Sequence, residues 1–210
     1  MVSLKSRMIA VSVFVLVFSL GYGLLGFTSH SRSLNWSTAI DQAIPFLPGF
    51  IVFYLLGDLF AFTVFFVVEK KDDFVRMLVG FLLICAIAYF CFLIFPVRMD
   101  RELSYGAQWY SKITSLQHTY DTSYNNFPSL HVAFTAYAWL ILYAVRRRLA
   151  WFSLPLALGI IASVLFVKQH LLVDAIGGLV LAIVIFLWWR RVISIDVEKN
   201  PLKRIKKLLN

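Results

Sequence analysis

Two histidines, one aspartate and a handful of basic residues carry the chemistry this sequence could perform. His170 and Asp174 are four residues apart, a spacing that on a helix puts both side chains on one face. A carboxylate so placed accepts a hydrogen bond from one imidazole nitrogen, fixes the tautomer and leaves the other nitrogen exposed for attack. A second imidazole, His131, closes the run Phe127-Pro128-Ser129-Leu130-His131. Pro128 suits the first turn of a helix, where its missing N–H costs nothing. The N–H groups that follow point outward at the positive end of the helix dipole, which favours a phosphate. The Ser129 hydroxyl adds a donor there, and His131 lies close enough in sequence to supply a proton. Arg98, Arg101 and Lys168 offer permanent positive charge to a phosphoryl group. Each feature alone has a plainer explanation: an ion pair between helices, an ordinary helix start, interfacial snorkelling side chains. Combined, they favour phosphoryl transfer through a histidine.

The elements that must position these residues are membrane spans. The chain has 210 residues, is 60% hydrophobic and only 15% charged, and its mean hydropathy is +0.80. Soluble domains run nearer about 45–50% apolar and 25% charged, so a soluble domain, a disordered chain and a disulfide scaffold are all excluded. The net charge of +9 does not indicate nucleic-acid binding, because the basic residues lie between long apolar runs rather than along one polar stripe. Cys85 and Cys91 share one apolar run at a spacing that does not let them bridge, and no thiolate metal site is implied. Six apolar runs approach the 17–25 or so residues that cross a bilayer: Met8–Phe27, Leu47–Val68, Met77–Phe95, Pro128–Val145, Leu149–Val167 and Leu171–Trp189. Backbone groups cannot go unpaired in hydrocarbon, so each run is expected to be a helix. The first is read as a retained anchor, its apolar core being longer than a cleaved leader's.

Lysine and arginine placement gives the orientation. With the N-terminus in the cytoplasm, 15 of the 20 basic residues fall on the cytoplasmic side. The expectation is an all-α membrane protein, a six-transmembrane-helix bundle with both termini cytoplasmic, forming one domain over residues 1–210. Residues 197–210 read as a basic amphipathic tail on the inner leaflet or a solvated one. In this arrangement three separate segments deliver Arg98, Arg101, Ser129, His131, Lys168, His170 and Asp174 to the extracytoplasmic face. Asp58 is mid-span and reads as paired inside the bundle or in contact with a water pocket. His118, Lys112 and Asp121 fall in a loop long enough to cover the site, and His30, Arg32 and Asp41 flank an interfacial stretch with Trp36 and Pro45-Phe46-Leu47-Pro48.

Phe-Pro-Ser-Leu-His at 127–131 and Lys-Gln-His-Leu-Leu-Val-Asp at 168–174 resemble the second and third motifs of the type-2 phosphatidic acid phosphatase superfamily. Leucine before the histidine resembles the branch related to inositol phosphorylceramide synthases. The resemblance covers about residues 40–190. It implies a metal-independent and cofactor-free enzyme with a phosphohistidine intermediate. His170 would be the nucleophile, Asp174 its orienting partner and His131 the general acid. Ser129 and nearby N–H groups would hold the phosphoryl oxygens, with Arg101 as the basic residue of the first motif. Ile94 and Glu102 stand where that motif has lysine and proline, and Val164 replaces an arginine of the third motif, whose charge Lys168 is expected to supply.

The resulting expectation is a lipid phosphate phosphatase at the extracytoplasmic face of a bacterial inner membrane. Its partners would be a lipid phosphate substrate and the bilayer, with no nucleic acid and no evident protein partner. A phosphotransferase moving a phospho-headgroup to an alcohol is the alternative, and a non-catalytic lipid-phosphate binder or flippase a further one.

Overall fold

A computed structural model describes residues 1–28, 33–101, 104–121 and 123–199. His30, Arg32 and Glu102, and the tail from 200 onward, lie outside the described residues. The fold is all-helical, 77% helix, with no strand among the described residues. The described residues form, in order, α1 (Leu4–Thr28), α2 (Ala39–Ala43), α3 (Ile51–Val67), α4 (Lys71–Ile94), α5 (Trp109–Tyr120), α6 (Leu130–Val145), α7 (Arg147–Phe166) and α8 (Leu172–Lys199). A 3-10 turn, Pro48–Phe50, leads into α3.

Among the described residues five helices are long and apolar enough to cross a membrane: Leu4–Gly26, Pro48–Val67, Lys71–Ile94, Arg147–Phe166 and Leu172–Arg191. Several such helices suggest an integral membrane protein. The sixth expected span, α6, has 16 residues, about 24 Å at the usual rise and short of the ~30 Å hydrocarbon core. It lies at the centre of the bundle against α3, α4, α7 and α8. Ala133, Tyr137, Ala138, Ile141 and Leu142 on α6 are all buried. Inside a bilayer apolar association gains little from water exclusion, so close approach at small residues matters more. Gly178 of α8 supplies that approach, a Cβ there falling 3.2 Å from Ala133 N of α6. Interlocked rings fill the rest: Phe14 of α1 meets Phe134 edge-on at 5.2 Å, and Phe81 of α4 meets Tyr137 at 5.0 Å.

Turns at one end tie the helices together. Arg146 alone separates α6 from α7 and pairs with Glu69 in the α3–α4 turn. Arg7 of α1 is buried there and donates to the Phe65 carbonyl at the end of α3, one of the orphan acceptors a helix terminus leaves. Asp72 and Asp73 occupy the first turn of α4, where negative charge meets the positive end of the dipole. His131, His170 and the loops lie at the other end. A bridge between Leu34 and Val97 joins the segments before α2 and after α4, and Met99 N–H donates to Ser123 O at 3.0 Å. The stretch after α4, which reads as a loop in the sequence, contains α5, held down by Thr114 donating to Pro48 O at 3.0 Å.

Candidate active site

His170 and Asp174 meet, but not as two residues of one helix. The last turn of α7 closes through Val167, Gln169 and His170 N–H groups donating to Ser163 and Val164 carbonyls, at 2.8–3.1 Å. Lys168 takes the left-handed conformation there (φ 55), usually a glycine position at a helix end. Its buried ammonium donates to Asp41 O at 2.7 Å. Helix α8 then begins at Leu172, so His170 precedes the helix and Asp174 lies in its first turn. The expected shared helical face is thus corrected to a side chain reaching back. Asp174 accepts from Leu171 N–H at 2.8 Å and faces His170 Nδ1 at 3.6 Å. Asp174 is fully buried and His170 is 7% exposed. His170 Nδ1 and Asp174 Oδ1 have no hydrogen-bond partner among the described residues.

Ser129 is the N-cap of α6, and its hydroxyl accepts from Val132 N–H at 3.3 Å. The helix therefore starts at Leu130, and Pro128 precedes the cap instead of occupying the first turn. Serine is a preferred N-cap because its oxygen satisfies an orphan donor, which moves the start by two residues. Ser129 N–H is also used: it donates to Asp174 O at 3.0 Å. A Cβ on Gly178 would lie 2.4 Å from Ser129 O, so only glycine lets α8 come this close. The starts of α6 and α8 are thereby joined, with His131 and His170 beside the joint.

The two histidines line one cavity of about 280 Å³, together with Tyr22, Tyr54, Asp58, Gln117, Asp121 and Asn125. The His131 ring stacks parallel on Tyr54, centroids 4.2 Å apart. Its Nδ1 faces Asp58 at 3.9 Å, and its Nε2 has no hydrogen-bond partner among the described residues. Tyr54, Gly57 and Asp58 of α3 thus form the seat for His131. Tyr54 and Asp58 are four apart in one span, so a shared face was legible in the sequence; their target was not.

Asp121, at the end of α5, is the centre of a polar cluster that sequence reasoning missed. Its carboxylate accepts from Tyr22 OH at 2.7 Å, Tyr54 OH at 3.2 Å, Gln117 at 3.2 Å and Gln169. Loop position in the sequence carried no signal for this. Arg101 donates to the carbonyls of His118 and Asp121 at 3.3 and 3.1 Å, a basic residue closing the negative end of α5. Arg98 is half-exposed beside Asp100, 3.2 Å away. Lys168 lines a second, neighbouring cavity of about 530 Å³ with Asp41, Gln42, Met99 and Asp100. Asp41 is held below the usual carboxylate range: burial works against this, but N–H groups of Leu172 and Thr38 and the charge of Lys168 outweigh it. Burial pushes the Lys168 ammonium down, with Asp41 acting against it. The described residues thus bring His131, His170 and Asp174 together, while the side chains of Arg98 and Lys168 point to other surroundings.

His118 on α5 bonds the Tyr105 hydroxyl through Nδ1 at 2.5 Å. Burial first, then the charge of Arg101, pushes its pKa down to about 4 from 6.5. Between those two values the unfolded chain binds a proton that the folded chain does not, so stability rises with pH across that window. The melting temperature in detergent is accordingly expected to fall from pH 7 to pH 4.5. His118→Gln should reduce that slope; an unchanged slope would assign it to other groups.

The chain matches the family model described as the PAP2 superfamily over residues 50–188. It belongs to that superfamily. Membership suggests phosphatase or phosphotransferase activity on lipid phosphates. No curated protein and no solved structure matches the chain.

Proposed function

We propose that the protein is a membrane lipid phosphate phosphatase working through a phosphohistidine, with six spans and the histidine end facing away from the cytoplasm. The observation that carries this reading is the single cavity lined by His131 and His170, with buried Asp174 behind His170. Asp174 faces Nδ1, which leaves Nε2 of His170 to attack phosphorus. The P–N bond forms as the ester P–O bond breaks, and His131 gives its proton to the departing lipid oxygen. Water then attacks phosphorus, loses its proton to His131, and the P–N bond breaks to release phosphate. Arg101 and the N-terminal end of α6 are the proposed sources of positive potential for the phosphoryl oxygens; Arg98, Lys168 and Ser129, expected from the sequence to assist, are engaged with Asp100, Asp41 and the start of α6.

The Asp121 cluster favours a second reading, transfer to an alcohol. A carboxylate flanked by tyrosine hydroxyls and carboxamides is suited to hydroxyl donors and poorly suited to a phosphate dianion. Hydroxyls of an acceptor or of a leaving headgroup would be held there, with phosphorus nearer the histidines. A lipid screen with purified protein tests both readings, measuring released phosphate and newly formed headgroup ester together. Phosphate release alone supports hydrolysis, ester formation supports transfer, and no turnover of any lipid phosphate overturns both. The two-histidine scheme also requires a bell-shaped pH dependence of kcat/KM, and a flat profile from about pH 5 to 9 would reject it. Asp58→Asn should lower kcat on the order of 10-fold by removing the charge facing His131. An unchanged kcat would remove Asp58 from the proton-transfer scheme.

A further inference from the structure

A further cavity lies at the end of the bundle opposite the histidines. The α3–α4 turn, the end of α6 and the Phe186–Arg190 stretch of α8 enclose about 890 Å³. His131 lies in the first turn of α6 and Tyr143 comes twelve residues later, about 18 Å along the axis. This cavity is therefore separate from the one described above.

Its walls combine two chemistries. Trp139 and Trp189 form an apolar part, and both indole N–H groups are already used, on Ala150 O at 2.9 Å and Asp73 O at 3.4 Å. Anchored in this way, the indoles leave only their rings to face the space. The rim holds four cations, Lys70, Arg146, Arg147 and Arg190, against two acids, Glu69 and Asp73. Arg146 is paired with Glu69, and Asp73 lies at the positive start of α4. Arg147 rests over the Tyr143 ring at 5.1 Å, which orients a cation without neutralising it. The surplus is positive, 4 − 2 = +2. A ligand that suits both parts has an acyl chain beside an anionic head. A basic segment of the same chain, such as Lys203–Lys207, would meet like charge.

We propose that this cavity binds one anionic phospholipid from the adjacent leaflet, its phosphate against Lys70 and Arg147 and an acyl chain along Trp139 and Trp189. On the charge-based orientation that leaflet is the cytoplasmic one. The proposal does not depend on the catalytic reading. Membrane partitioning raises the local concentration of such a ligand, and each cation near the surface adds to the attraction.

The test uses the full chain in phosphatidylcholine vesicles with a trace of phosphatidylglycerol carrying a diazirine high in one acyl chain. Labelled peptides are mapped by mass spectrometry after illumination. Labelling is expected to concentrate on residues 67–70 and 139–147. Unlabelled phosphatidylglycerol should displace it, whereas phosphatidylcholine and millimolar inorganic phosphate should not. Lys70→Gln with Arg147→Gln should cut this labelling about tenfold or more, and labelling of the exposed Leu16 and Leu20 face of α1 should stay constant. Arg147→Gln alone should give a smaller loss, which covers failure of the double variant to insert. Labelling no stronger than on α1, equal displacement by phosphatidylcholine, or indifference to both variants overturns the proposal. Displacement by inorganic phosphate would replace it with a site for free anions.

Discussion

Replacing His170 by alanine is expected to abolish turnover of any lipid phosphate the wild type processes, a loss of at least about 10³-fold in kcat. The size follows from the proposed role. His170 would make the only bond from protein to phosphorus, and its backing carboxylate is fully buried, so no neighbouring group inherits the task. Asp174→Asn should fall nearly as far, because an amide facing Nδ1 can hold the wrong tautomer and cannot stabilise a charged imidazole. The measurement is steady-state turnover plus an acid-labile, base-stable phosphoryl adduct trapped on the wild type and absent from H170A. Persisting turnover in H170A would end the covalent scheme. An intact adduct in that variant would move the nucleophile elsewhere. A pure binding protein would instead keep its lipid affinity in H170A and never show turnover.

The second large effect is expected from one methyl group. A Cβ on Gly57 would lie 2.2 Å from His131 Nε2 and 2.9 Å from Ile160, well inside contact distance. Gly57→Ala must therefore push the His131 ring off its seat on Tyr54 and Asp58. A displacement near 1 Å in a reacting group costs about 10²-fold, which is the loss expected in kcat. Helix propensity works the other way, since alanine is favoured over glycine in a helix interior by about 1 kcal/mol. Folding is thus expected to hold while chemistry fails. Gly23→Ala on α1 is the control, because nothing lies within 4 Å of the added atom. Equal activity of G57A and wild type would show that His131 does not need this seat.

Much of this architecture was legible because the bilayer forces long apolar runs. Five of the six runs correspond to helices of spanning length, with ends displaced by a few residues where caps, rather than hydropathy, decide. Ser129 shows why: its hydroxyl, not the proline before it, sets the start of α6. α4 begins at Lys71, ahead of the apolar run, because Asp72 and Asp73 suit a first turn. The His170–Asp174 contact was readable from spacing, although a turn rather than a helix produces it. The Asp121 cluster was not readable, since its partners come from α1, α3, α5 and the α7–α8 turn, and only tertiary packing brings these together. For the same reason basic residues were grouped by membrane face in the sequence, whereas the fold commits Lys168 to Asp41 and Arg101 to the end of α5.

The Ser129–Asp174 bond and the bare Gly178 surface weld the starts of α6 and α8 into one joint. Both imidazoles are mounted on or beside that joint, so their spacing is set once, when the chain folds. Side-chain bonds to one carboxylate, Asp121, tie the opposite wall of α1, α3 and α5 to the α7–α8 turn. That wall also touches the imidazoles, since Tyr54 of α3 stacks on His131 and Gln169, beside His170, donates to Asp121. One carboxylate thus gathers α1, α3, α5 and the α7–α8 turn around the two imidazoles, so a change at Asp121 is felt on every side of the cavity at once.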